Sequence, residues 1–127
     1  MKALDDQIEN PLTRIRNYFK FWEGCIEGQT LSFCIGALLE AEMPSLPTEV
    51  QAEVRPHFST LTEWFERTLK AGARAQAIQL QGTVAAEAQM LIAVLHGAML
   101  SARAAGNCEV FRSLSQAALH RISPAKP

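Results

Sequence analysis

Cysteine is scarce in this sequence: 127 residues hold three, Cys25, Cys34 and Cys108. An odd number without paired spacing excludes a disulfide scaffold and a cysteine-based metal site, and it fits reduced thiols in a cytoplasmic protein. A dominant charge is missing too. With 12 basic and 13 acidic side chains the net charge is −1, so no overall field draws the chain to nucleic acid or to an anionic membrane. The longest apolar stretches are interrupted by Gln89, His96 and Arg103, which argues against a membrane span. The N-terminus, MKALDDQIENPL, carries acids where a secretory signal would carry a basic patch and an apolar run. Repeats, low-complexity tracts and strand-like alternation are all lacking. His57, His96 and His120 are scattered, and none has an acid or cysteine at metal-ligand spacing. Ser–His–acid spacing, a phosphate loop and paired carboxylates are equally absent, so neither an enzyme nor a cofactor is expected.

What remains is a helical pattern on a chain sized for one domain, 48% hydrophobic and 20% charged. From Asp5 to Gly28, the residues Ile8, Leu12, Ile15, Phe19, Trp22 and Ile26 recur on one stripe. Pro11 either opens this helix at its first turn, behind Asn10, or kinks it. A shorter helix is expected over about Leu31 to Glu42, stopped by MPSLP. Thr48 reads as the next N-cap, with Gln51 at the capping-box position. From there Val50, Val54, Phe58, Leu61, Phe65 and Leu69 keep helical spacing to Gly72, with a kink or break expected at Pro56. Thr83 caps a helix over Val84–Ala105, closed by Gly106 and Asn107. A last helix follows over about Cys108–Ile122. The expectation is an all-α bundle of about five helices. Residues 1–10 lead in, 11–122 form the helical domain, and 123–127 are a disordered tail.

The stretch LIAVLHGAMLSARAAG has almost no polar side. At ~100° per residue, Met90, Gly97, Ser101 and Ala105 fall close to Val94, forming a seam of mostly small side chains. Leu91, Leu95, Ala98 and Ala102 fill the neighbouring quadrant, while Gln89, His96 and Arg103 make a narrow polar line opposite the seam. Such a helix needs cover on two sides, and four other helices in one chain cover one side well. The last helix adds a wide apolar band through Val110, Phe111, Leu114, Ala118 and Ile122. A homodimer through these two helices is therefore expected, with Val94, Gly97, Ser101, Ala105, Phe111, Leu114 and Ala118 at the interface. Both helices being central in a monomeric bundle is the alternative.

The order of features resembles the C-terminal regulatory domain of TetR/AcrR-family transcription regulators. The resemblance rests on FCIGALLEAEMPSLPTEVQAEV, with Cys34, Gly36 and Glu40–Glu42, then Glu49 to Val54, the exit WFERTLKAG from Trp64 to Gly72, and the LHGA segment with Arg103. It runs from about Pro11 to Ile122. It implies dimerisation through the last two helices and a ligand pocket enclosed by the earlier ones. It also implies a helix-turn-helix module that binds operator DNA. Only the acidic lead MKALDDQIEN precedes the first helix, so DNA contact is expected only through a module missing here.

The expected effector is a small apolar or amphipathic molecule. Phe19, Trp22, Trp64 and Phe65, with Met90 and Met99, either line its pocket or are simply core. His96 and Arg103, with Gln89, either orient an acidic or carbonyl end of the ligand or form a thin solvated line. Cys25 and Cys34 read as small buried hydrophobes rather than an oxidation sensor. The competing function is a stand-alone helical module that pairs without a ligand.

Overall fold

The computed structural model describes residues 1–28 and 42–125. Among these lie five α-helices, one short 3-10 turn and no strand. The helices are α1 (Lys2–Gln7), α2 (Pro11–Glu27), α3 (Thr48–Arg74), α4 (Val84–Ala105) and α5 (Cys108–Ile122), with the turn at Met43–Ser45. The helix expected over Leu31–Glu42 lies outside the described residues except for Glu42.

Six residues are too few for a helix to stand alone in water, and α1 is tied down by its neighbours. The Trp64 indole N–H donates to Asp5 Oδ1 at 2.9 Å, Arg67 reaches the other oxygen at 3.5 Å, and Leu4 packs against the core. The chain restarts at Asn10, whose side chain accepts from the amides of Leu12 (2.9 Å) and Thr13 (3.2 Å). Pro11 occupies the first helical position, where a missing N–H costs nothing. The helix therefore starts at Pro11 instead of kinking there. Its apolar stripe buries Leu12, Ile15, Phe19 and Ile26.

The start of α3 differs from the expected capping box. Pro47 is the cap residue and Thr48 already helical, and Gln51 donates its side-chain N–H to the Leu46 carbonyl at 2.8 Å. Pro56 does not end the helix, which runs unbroken to Arg74. Ala52, Arg55, Pro56 and His57 are all exposed, so the carbonyl freed by the missing proline N–H is open to water. Past Gly72 the chain folds back sharply. The amides of Ala77 and Ile78 donate to the Gly72 carbonyl at 2.9 and 3.1 Å. A Cβ on residue 72 would lie 2.3 Å from Ile78 Cδ1, so the close approach requires glycine. The following loop is pinned to the end of α5, where Gln79 N–H donates to the Ile122 carbonyl at 2.8 Å.

The last two helices begin and end where their local chemistry dictates. Thr83 Oγ1 accepts from Ala86 N–H at 3.1 Å. Gly106 takes a left-handed conformation at φ 63°, and Asn107 Oδ1 accepts from Glu109 N–H at 3.0 Å. Helix α4 packs between α3 and α5, and α2 lies against all three. The core they share includes Phe19, Trp64, Phe65, Leu69, Leu95, Met99 and Phe111, each 2% exposed or less. Every such side chain contributes about 1.5–3 kcal/mol through its burial. By length and composition alone α4 would reach across a bilayer, in spite of its polar interruptions. Its place in the bundle is that of a core helix, with 44% of that apolar stretch buried inside the chain.

Candidate functional site

The inward arc of α4 is closed by the chain itself: Leu91, Leu95, Ala98 and Ala102 are each 2% exposed or less. The outward arc is not. Met90 is 44% exposed, Val94 is half-buried, and Gly97, Ser101 and Ala105 are exposed. Ala86, Ala93 and Ala104 are exposed beside them, so the small-residue surface is wider than the seam read from sequence. Helix α5 extends this surface with Leu114, 41% exposed, and half-buried Ala118. Between the two helices runs an apolar groove of about 220 Å³, lined by Met90, Val94, Leu114, Ala117 and Ala118, with Arg121 at its edge. Phe111, expected on this face, points the other way. It is fully buried, its ring 6.4 Å from that of Phe19.

The proposed pocket residues separate into four places. Phe19, Trp64, Phe65 and Met99 belong to the solid core. Half-buried Trp22 stands edge-on to Tyr18 at 6.3 Å, and Tyr18 in turn meets Phe65 edge-on at 5.7 Å. Burial pushes the Tyr18 phenol above its ordinary value. Met90 is on the outer face described above. His96 is 8% exposed and edge-on to Phe58 at 5.8 Å. The polar line of α4 is thus not uniformly solvated: Gln89 and Arg103 are exposed, and His96 between them is turned against α3.

Beside that His96–Phe58 contact, α3 and α4 enclose a hollow of about 550 Å³. Phe58, Ile92 and Met43 give it apolar wall, while Thr62, Gln89, Arg55 and two carboxylates, Glu63 and Glu66, give it polar rim. Its size is that of small-molecule sites, and its mixed lining suits an amphipathic guest. Sequence reading had not singled out Phe58 or Thr62 for this role. Phe58 is on the α3 stripe and Thr62 lies one turn further along, but only the fold shows that both border this hollow.

Two charged clusters also went unread. Glu87 is 2% exposed and its carboxylate is gripped by both terminal nitrogens of Arg121, joining α4 to α5. The carboxylate in turn holds that guanidinium firmly protonated. Arg112 joins α5 to α2, pairing with Glu109 and Glu23 and lying 3.9 Å from Glu27. Cys108 sits beside this cluster with Sγ 3.8 Å from the Glu23 carbonyl, and burial raises its thiol pKa. Cys25 is half-buried, and Cys34 lies outside the described residues. No group of three or more histidine, cysteine, aspartate or glutamate side chains is placed to hold a metal ion among the described residues.

Comparison with known proteins assigns this architecture. Residues 11–118 match the family described as Tetracyclin repressor-like, C-terminal domain. A TetR-family transcriptional regulator from Agrobacterium tumefaciens superposes with a TM-score of 0.91 at 42% identity, over 96% of this chain and 64% of that one. The reduced form of NemR from E. coli superposes with a TM-score of 0.80 over 97% of this chain and 64% of that one. At 21% identity that second likeness is one of fold. The chain therefore spans 64% of the length of each of these solved relatives. No curated protein sequence matches it.

Proposed function

Because this chain belongs to the tetracyclin-repressor-like family, as the C-terminal domain of a TetR-family transcription regulator, we propose that it joins two subunits and senses a small apolar or amphipathic molecule. The observation that carries the first half is the outer face of α4 and α5. It combines exposed Met90 and Leu114 with a row of alanine, glycine and serine that lets another backbone come close. A second copy presenting the same two helices about a two-fold axis would turn this face into a four-helix core.

The effector site we assign to the hollow between α3 and α4, with Phe58 and Ile92 in its wall and His96 packed behind Phe58. Pro56 lies two residues before Phe58 in the exposed part of α3, where one backbone hydrogen bond is lost. A guest pressing on Phe58 would act on the least supported turn of that helix. In the complete regulator DNA is read by helix-turn-helix modules outside these 127 residues, in the cytoplasm. Their separation has to match half-sites about one duplex turn, roughly 34–36 Å, apart. The guest shifts the spacing only to the extent that it binds one dimer arrangement better than the other.

Two experiments test the halves separately. Ser101→Cys is expected to cross-link two chains under mild oxidation in a background with the native cysteines replaced, while Lys70→Cys, exposed on α3, stays uncross-linked. Equal cross-linking at both positions contradicts the proposed axis. For the effector, the neutral fluorophore N-phenyl-1-naphthylamine is expected to brighten on binding, and Ser59→Trp, which fills the hollow from its exposed rim, is expected to abolish the response. Saturable binding that ignores Ser59→Trp places the site elsewhere. No binding at all favours a pairing module without a ligand.

A further inference from the structure

The opposite flank of α5 carries a second recess, formed with α2. It encloses about 470 Å³ and has an apolar floor of Phe19 and Leu119. Around this floor stand Arg16, Lys20 and Arg112, with His120 at the rim and one carboxylate, Glu23. On a chain with a net charge of −1 this is a local excess of cations. Glu23, with Glu109 and Glu27, offsets the charge of Arg112, which leaves Arg16 and Lys20 as the uncompensated cations. Arg16 and Lys20 are exposed, and neither is in an ion pair among the described residues.

A second observation is independent of charge. Four hydroxyls donate to the carbonyl four residues back: Thr60 to Pro56 at 2.9 Å, Thr62 to Phe58 at 2.9 Å, Thr68 to Trp64 at 2.7 Å and Ser123, just past the last helix, to Leu119 at 2.8 Å. Ser115 does not. It lines the recess, is 7% exposed, and its Oγ has no hydrogen-bond partner among the described residues. A buried hydroxyl left unsatisfied is costly, and an acceptor in the recess would remove that cost.

We propose that the α2–α5 recess binds a small amphipathic anion, a carboxylate or phosphate ester on an apolar body. The anionic group accepts from Ser115 Oγ–H and is held by Arg16 and Lys20 at the mouth, and the apolar body rests on Phe19 and Leu119. Arg112, fixed by Glu23 and Glu109, forms part of the wall, and the attraction comes from Arg16 and Lys20. This site is separate from the α3–α4 hollow and does not depend on pairing of two chains.

Octanoate, octyl phosphate and octylammonium, titrated into the intact chain and followed by amide NMR, test the proposal. Octanoate and octyl phosphate are expected to shift the signals of Phe19, Ser115 and Leu119, and octylammonium to leave them in place. Binding by only one of the two anions identifies which headgroup the recess takes. The double variant Arg16→Glu/Lys20→Glu, both exposed positions, is expected to weaken binding about tenfold or more. Ser115→Ala is expected to weaken it several-fold while thermal stability stays the same or rises. The proposal is overturned by unchanged affinity in the double variant, by equal binding of octylammonium, or by shifts confined to the α3–α4 hollow. None of these outcomes depends on N-phenyl-1-naphthylamine, whose binding belongs to the other site.

Discussion

Two sides of α4 are both largely free of charged residues and opposite in fate. On one, Leu91, Leu95, Ala98 and Ala102 are sealed by α2, α3 and α5. On the other, Met90, Val94, Gly97 and Ser101 meet Leu114 and Ala118 along an open apolar groove. The difference lies in what is available to cover them. The sealed side is anchored by Leu91 and Leu95, which fill gaps between helices within one chain. The open side mixes Met90 and Val94 with Gly97, Ser101 and Ala105, whose small size suits an approaching flat surface. Hydrophobicity alone marks α4 as a helix needing cover, and only the packing of the other helices says which side is covered internally.

The comparison is broken most severely from the sealed side. Leu95→Ala leaves a void in the core and is expected to lower folding stability by about 2–5 kcal/mol in denaturant melts. Leu114→Ala, on the open side, should leave a dilute protomer almost unchanged. Arg121→Ala comes next. It strands the buried Glu87 carboxylate between α4 and α5, and should lower the melting temperature, though less than Leu95→Ala, because the arginine end of the pair is bathed by solvent.

Gly97→Leu sharpens the contrast, because its two effects have opposite signs. Nothing lies within 4 Å of a Cβ built at Gly97, so the separated protomer should gain up to roughly 1 kcal/mol from the better helix former. Association should weaken about tenfold or more, since the added side chain occupies the space the partner needs. Sedimentation and thermal melts on one sample read both signs. The smallest effect is alkaline. Tyr18, on α2 against Trp64 and Phe65 of α3, has its phenol raised by burial from the ordinary value of 10.0. The stability from keeping it neutral is fully present below that value and declines as pH rises through the folded one. A Tyr18→Phe variant should lose less stability above pH 10.0 than the parent.

Much of the fold was legible because helix ends are local. Thr83, Gly106 and Asn107 cap by hydrogen bonds or backbone freedom within a few residues, and α4 and α5 follow those bounds. Pro56 does not break α3, because water can serve the freed carbonyl at this exposed turn. Thr48 misled because Pro47 ahead of it is extended and takes the cap position. The direction of each apolar band was less legible. Phe111 and Leu114 are neighbours on one helix face by spacing, yet one fills the core and the other is exposed. Glu87 resembled an ordinary first-turn acid, and its partner Arg121 is 34 residues away. The α2–α5 recess brings Arg16 and Ser115 together across nearly the whole chain, a juxtaposition no local pattern encodes.

Sedimentation equilibrium of the chain at micromolar concentration, beside a Val94→Glu/Leu114→Glu variant, tests the role of the open face most directly. The parent is expected to sediment at twice the 14.0 kDa protomer mass, and the variant at the single mass with its helical circular dichroism intact. A parent that sediments as a single chain, or a variant that stays paired, would contradict it.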